Sequence, residues 1–364
     1  MDSLQKQQLS AMALRDATRD QQFGIEIELQ TDRSKLAHTV GRAIGGEVTE
    51  LPFNKNLPKQ QRKRTHSIKS PTGRKWGVDF DISVADVPSA ATRSKDPTAA
   101  EIVSPILYHE DLPDLEKVIQ AMQKQDFKVH DRCGIHVHID GAPFSNYASG
   151  FDNPLNRLAA NFFVNQDILY KALGLPSEFG ESGHKKKLDG DVVEKMISAR
   201  TPGERYNAWY DQDIEGKITN PDDYYNRTRK HGLNLHSYHR TGTIEFRMFN
   251  TPEDLCPKTI RAYVELCSAL SAASLANAKM PPILRDKMSP QKSMGYFLNA
   301  IGLRGEAYAE TREILTQNLS ENAISRQALD AYMERYDYFE HGQDIELDSS
   351  KRPASPVRSS EMSN

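Results

Sequence analysis

Glu26 and Glu28 lie two residues apart in the stretch Phe23 to Leu29, FGIEIEL. On a β-strand successive side chains point to opposite faces, so the two carboxylates share one side while Ile25, Ile27 and Leu29 share the other. Like charges placed this way repel unless a cation lies between them, and hard oxygen ligands at that separation suit magnesium or manganese. A solvated polar face on an alternating strand is the ordinary alternative. Recurrence of the layout argues against it. Val78 to Ile82 (VDFDI) sets Asp79 and Asp81 against Val78, Phe80 and Ile82. Cys133 to Asp140 (CGIHVHID) sets His136, His138 and Asp140 against Ile135, Val137 and Ile139, and Thr243 to Phe249 (TIEFRMF) sets Glu245 and Arg247 against Ile244, Phe246 and Met248. Solvated faces mix Lys, Thr, Ser and Glu; these strands carry acids, imidazoles and one guanidinium. If all four share a sheet, one face suits metal and phosphate and the other is apolar and covered by helices.

The elements around these strands can be placed from pattern alone. Ala100 to Leu107 (AEIVSPIL) is a further strand, with Glu101 ahead of a β-branched pair and a proline that ends the ladder. Ser34 to Ile44 is a helix with Ser34 as its N-cap and Gly45 and Gly46 as its stop. A strand over Glu47 to Leu51 follows it. Helices are expected from Asp111 to about Gln125, from Pro154 to Leu173, from about Asp191 to Arg200, and from Pro257 to Ala278, the last packed behind the sheet. His231 to Tyr238 (HGLNLHSY) alternates like a strand, with Asn234 and His236 on one face, and pairs with the strand at Thr243 through the turn at Gly242. Asn54 to Val78 holds eight Lys and Arg residues and no acid, with Pro58, Pro71 and Gly73 against regular structure. It reads as a loop, either simply solvated or a rim that draws an anionic substrate toward the acidic face. Gly180 to Lys187 reads as a second basic loop. The aromatic segment with Tyr206, Trp209, Tyr210, Tyr224 and Tyr225 reads first as core and rim packing.

Four units result: a helical extension over 1–22, a catalytic domain over 23–282, a helical region over 283–341, and a disordered tail over 342–364 that has almost no large apolar residue. The chain of 364 residues can bury a large core. A net charge of −3 points away from nucleic acid as a partner. The N-terminus lacks a signal peptide's apolar stretch, no apolar run is long enough for a membrane span, and Cys133, Cys256 and Cys267 are an odd set without a CxxC. These features lead us to expect a cytoplasmic protein with reduced, buried thiols and no membrane partner.

The order of the motifs carries more than any one of them. FGIEIEL, then Trp76, Val78, Asp81 and Ser83 in W-x-V-x-x-D-x-S spacing, then EIVSP at Glu101, then CGIHVHID, then TIEFRMFN, resembles the amidoligase family. That family is similar to glutamate-cysteine ligase and glutamine synthetase among the carboxylate-amine ligases. The likeness runs from about Phe23 to Ala278. It implies an α+β fold with a central antiparallel sheet, glutamine-synthetase-like, and helices on its convex face. It implies an ATP- and magnesium-dependent ligase joining a carboxylate to an amine, the substrates being small molecules or peptides, with manganese as a substitute ion. Position by position it makes Glu26, Glu28, Glu101, His136 and Glu245 metal ligands and Arg247 a phosphate contact. Asp81 falls near the incoming amine, His138 and Arg229 beside the nucleotide, and Asn234 and Asp79 beside the substrates.

The chemistry explains why such a set is needed. A carboxylate is a poor electrophile, and phosphorylation by ATP converts it to an acyl phosphate that an amine can attack. The amine must lose a proton, and Asp81, next to Asp79, is the expected base. Two other activities compete. A metal-dependent amidohydrolase would use His136-x-His138-x-Asp140, and a guanidino phosphotransferase would share the catalytic core but lacks its nucleophile-bearing loop here. A non-catalytic nucleotide-binding relic is the third alternative.

Overall fold

Phe23, Ile25, Ile27 and Leu29 are all buried, and with Ile135, Val137, Ile139, Ile244 and Phe246 they form the apolar side of one sheet. The computed structural model describes residues 12–341 apart from 54–55, 57–62, 86–95, 97, 126, 146–147, 176–184, 215–216, 219, 224, 277–282 and 323. The strands of the main sheet are β1 (Phe23–Gln30), β2 (Glu47–Glu50), β3 (Arg64–Lys69), β4 (Lys75–Asp79), β5 (Ala99–Val103), β6 (Gly134–Asp140), β7 (Leu233–Asn234) and β8 (Thr243–Asn250). They lie in the order β2-β3-β4-β5-β1-β6-β8-β7, and every neighbouring pair is antiparallel.

The helices are α1 (Arg33–Ile44), α2 (Leu112–Gln123), α3 (Pro154–Ala172), α4 (Gly190–Ser198), α5 (Pro202–Tyr210), α6 (Leu235–Thr241), α7 (Pro257–Leu275), α8 (Pro290–Ala300), α9 (Ala309–Ile314) and α10 (Arg326–His341). The class is therefore mixed α+β with an antiparallel sheet. Helices α3 and α7 lie against the apolar face, where Phe162 meets Phe246 at 6.5 Å between ring centroids and Tyr263 stacks on Phe249 at 4.4 Å. Met294, Phe297, Leu298, Leu315, Leu329 and Tyr332 from beyond residue 283 join the same core, and the Tyr332 hydroxyl donates to Asn165 Oδ1 of α3 at 2.7 Å. Among the described residues no helix is long and apolar enough to cross a membrane.

Several local expectations are corrected. The basic segment is not a plain loop, because its second half folds into the hairpin β3–β4. Pro71 and Gly73, read as breakers, form its turn: Gly73 has φ 84° and its N–H donates to Ser70 O at 2.9 Å. Trp76 of β4 is a core residue. The β4 strand ends at Asp79 and does not continue to Ile82. Asp81 Oδ1 accepts from Ser83 N at 2.7 Å and caps a 3-10 turn over Ile82–Val84, which leaves Ile82 exposed. Only Leu233–Asn234 of HGLNLHSY is strand, and its second half is helix. Asn234 Oδ1 accepts from His236 N at 2.9 Å and from Ser237 N at 3.4 Å, starting α6, and Gly242 at φ 77° ends it. The cap of α1 is Asp32, not Ser34, accepting from Lys35 N at 2.8 Å. Cys133 and Cys267 are buried free thiols as expected, while Cys256 is only half-buried. The tail over 342–364, Lys59 and Arg62, Tyr224, and Gly180 to His184 of the second basic loop lie outside the described residues.

Candidate metal centre

Strand register decides which polar side chains meet. Asp79 of β4 pairs with Glu101 of β5, Glu101 pairs with Glu28 of β1, Glu26 pairs with His136 of β6, and His138 pairs with Glu245 of β8, which pairs with Asn234. On antiparallel strands opposite residues project to the same face, so these pairs form one band of acids and imidazoles across five strands. Among the described residues three groups have ligand atoms all within 4.8 Å of one another: Glu26, Glu101 and His136; Glu26, His138 and Glu245; Glu28, Asp81 and Glu101. Glu26 and Glu101 each belong to two groups, so the groups merge into one centre.

At the β8 end the charges are already matched. Arg247 Nη1 donates to Glu245 Oε1, and Asn234 Nδ2 donates to Glu245 Oε2. An extra residue in β8 between Phe246 and Phe249, opposite Val137 and Ile135, keeps both phenylalanines in the core while Arg247 stays on the polar band. Burial works to raise the Glu245 pKa, but Arg247, His138 and His136 outweigh it and hold the group at about 2. Burial likewise works to raise Glu26, and its hydrogen bond with His136 and the charge of His138 carry it well below the usual carboxylate range. His136 Nδ1 is 3.1 Å from Glu26 Oε2, and His136 Nε2 is 3.8 Å from Glu28 Oε1.

The β5 end differs. Burial pushes Glu28 up, despite His136 and a hydrogen bond from Gly134 N to its Oε2 at 2.7 Å. Glu101 is driven well above its ordinary value by burial and by the charge of Glu26, with Lys63 opposing. Gly134 lets the band pack closely here: a Cβ on it would sit 3.3 Å from Glu28 Oε2, so that carboxylate would have to give by a few tenths of an ångström. Lys63 Nζ lies 2.8 Å from Glu101 Oε2 and 3.3 Å from Asp79 Oδ2, and Arg64 Nε also donates to Asp79.

The residues fit a hard divalent cation. The donors are carboxylate oxygens with imidazole nitrogens, and burial with mutual repulsion raises two of the acids in a way that a cation would relieve. His138 offers the clearest vacancy in bonding. Its Nε2 is buried with no hydrogen-bond partner, 3.6 Å from Glu26 Oε1 and 3.8 Å from Glu245 Oε1, while its Nδ1 faces Thr243 Oγ1 at 3.1 Å. Arg247 Nε is likewise buried without a partner.

The structure brings Glu26, Glu28, Glu101, His136, His138, Glu245, Arg247, Asp79 and Asp81 onto the band. Asp79 is engaged by Arg64 and Lys63, and Asn234 by Glu245 and the start of α6. Arg229 sits in a 3-10 turn over Arg227–Lys230 with its guanidinium 5.3 Å from the Tyr225 ring centroid. Asp140 does not join the band's metal groups: its Oδ1 accepts from Ala142 N at 3.0 Å in the next turn. The paired-histidine hydrolase pattern thus loses its acid. Sequence reasoning missed Lys63, Arg64 and Lys185. Lys185 Nζ donates to Asn250 Oδ1 at the end of β8, and burial pulls its pKa down to about 8 even though Glu28 opposes this. All three lie in basic runs, and nothing in a run marks which member turns inward.

A polar band of shared carboxylates and histidines on an antiparallel sheet, with arginine beside it, has the donor set of a candidate divalent-metal centre. The chain belongs to the family described as Putative amidoligase enzyme, whose model matches residues 19–271. The comparison with curated proteins returned no match. Among solved structures the chain is similar to a bifunctional glutathione synthetase from Pasteurella multocida, at 15% identity and TM-score 0.38, covering 85% of this chain and 48% of that one. This chain therefore spans about half the length of that protein, and a likeness of this size carries no argument about its activity.

Proposed function

We propose that the protein is an ATP- and magnesium-dependent carboxylate-amine ligase that forms an amide or isopeptide bond through an acyl phosphate. The observation that carries the reading is the merging of three metal-capable groups through Glu26 and Glu101, with Arg247 alongside, in a chain of the amidoligase family. We read the sheet, with helices on its apolar face, as the glutamine-synthetase-like catalytic fold. Residues 23–282 form its catalytic unit.

Glu26, Glu28, Glu101, His136 and Glu245 would hold magnesium, with His138 beside them, and manganese would substitute. When bound, the ions supply neutralisation of the nucleotide phosphates and of charge that develops in phosphoryl transfer. Arg247, held in place by Glu245, donates from its unpartnered Nε to the transferred phosphoryl group. Asp81, fixed through Oδ1 by Ser83 N and Ser83 Oγ at 2.7 Å each, takes the proton from the attacking amine. The apolar floor beneath the band keeps these groups from water on that side.

Calorimetric ATP binding with and without magnesium tests this on the wild type and on Glu26→Gln/Glu28→Gln, with folding of each checked by circular dichroism. The expected result is magnesium-dependent binding in the wild type, weakened at least about tenfold in the double variant. Hydroxylamine and a panel of carboxylates should then yield hydroxamate together with ADP. A folded wild type that binds no ATP in magnesium overturns the reading.

A further inference from the structure

The Lys63 ammonium sits between two buried carboxylates of the band, and it reaches them from outside. Its side chain is 33% exposed, while those of Glu101 and Asp79 are 1% and 2% exposed. The residue precedes β3, and its four-carbon stem lets the charge enter from the rim. The two carboxylates are not equivalent. Asp79 has a second cation, because the Arg64 guanidinium lies over Gly77 and donates to Asp79 Oδ1. Glu101 belongs to both metal groups nearest this end, one with Glu26 and His136 and one with Glu28 and Asp81.

We propose that Lys63 is an exchangeable counter-cation: it holds Glu101 when no metal is bound, and passes to a phosphate oxygen of the nucleotide when Glu101 turns to the metal. This deepens the ligase reading and rests on it. Before the exchange the ammonium lies 2.8 Å from Glu101 Oε2; after it, the metal takes Glu101, Arg64 keeps Asp79 paired, and the ammonium stays tethered beside the incoming anion. Electrostatics at such short range, in a site partly shut off from water, make an ammonium and a divalent ion direct competitors for one carboxylate. Lys63 is thus a positioning residue for Glu101 in one state and a phosphate contact in the other.

The two roles predict effects of opposite sign in one variant. Manganese binding without nucleotide, followed by electron paramagnetic resonance, should be about tenfold tighter in Lys63→Met than in the wild type, because a competing charge is gone. ATP binding at saturating manganese, followed by calorimetry, should be about tenfold weaker in the same variant, because a phosphate partner is gone. Lys63→Arg, which keeps the charge, should restore both toward the wild type. A lysine with only a structural role would weaken both affinities when removed. Unchanged or weaker manganese binding by Lys63→Met, or unchanged ATP binding, overturns the exchange while leaving the metal centre intact. A folded wild type that binds no manganese overturns the exchange together with the ligase reading, so the two failures can be told apart.

Discussion

Glu245 and Glu101 are both buried carboxylates on one face of one sheet, and their surroundings drive them in opposite directions. Glu245 is met by Arg247, Asn234, His138 and His136, all anchored on β6, β7 and β8, and is held ionised far into the acid range. Glu101 faces Glu26, Asp79 and Asp81 and is answered by Lys63 from a rim position. One end of the band is neutralised by resident side chains in fixed geometry; the other has more acid than the fold itself balances. On the proposed reading, the β8 end is set in advance to meet phosphate, and a bound cation gains most toward the β5 end, where the acids are least balanced.

The largest expected effect separates the two ends by stability. Arg247→Met leaves Glu245 buried and uncompensated and should cost about 3–5 kcal/mol. Lys63→Met should cost less than about 1 kcal/mol, because the rim ammonium is partly solvated and burial already favours the protonated, uncharged form of Glu101. Urea denaturation of the two variants with metal removed checks this, and equal losses would erase the difference between the ends.

A smaller effect comes from pH. Glu28 and Glu101 hold protons in the folded state at pH values where the unfolded chain has released them. Stability of the metal-free protein should therefore fall as pH rises above the usual carboxylate range, by on the order of 1 kcal/mol, and magnesium should remove the fall. Glu245 and Glu26 act with the other sign. Their contribution is present above the unfolded carboxylate pKa and is lost as pH drops toward about 2, the value of Glu245. In Glu101→Gln the fall on the alkaline side should shrink while the acid-side loss stays. Urea midpoints across pH, with and without magnesium, read both arms.

The end that sequence described best is the one held by local pattern. Period-two alternation in β1, β6 and β8 put Glu26, Glu28, His136, His138, Glu245 and Arg247 on one face, because alternation is a property of each strand by itself. The β5 end depends on pairings between strands far apart in sequence. That Lys63 meets Glu101 follows from the β3–β4 hairpin docking on β5, and a run of basic residues does not state its register. Asx chemistry accounts for two more differences: Asp81 and Asn234 each sit in an alternating stretch, and each ends the alternation by capping a turn with its own side chain. The bulge at Arg247 carried no signal, since TIEFRMF alternates cleanly as written.

The smallest expected effect tests whether the β5 end is as loosely balanced as its charges imply. A Cβ on Gly77 would fall 1.7 Å from Arg64 Nη1, so Gly77→Ala must push the guanidinium off its present path. The obstacle is the far end of a long side chain that is already 32% exposed, so Arg64 can swing into solvent at a cost of about 1 kcal/mol or less. Asp79 then loses one of its two cations and draws Lys63 away from Glu101. Without nucleotide, manganese should bind a few-fold more tightly, in the same direction as Lys63→Met but by less, because the ammonium has moved and has not been removed. The double variant with Lys63→Met should bind manganese no more tightly than Lys63→Met alone, since both changes act through the same ammonium. A loss of stability in Gly77→Ala as large as that of Arg247→Met would mean that Arg64 and Asp79 form a fixed pair like Arg247 and Glu245, and that the two ends are built alike.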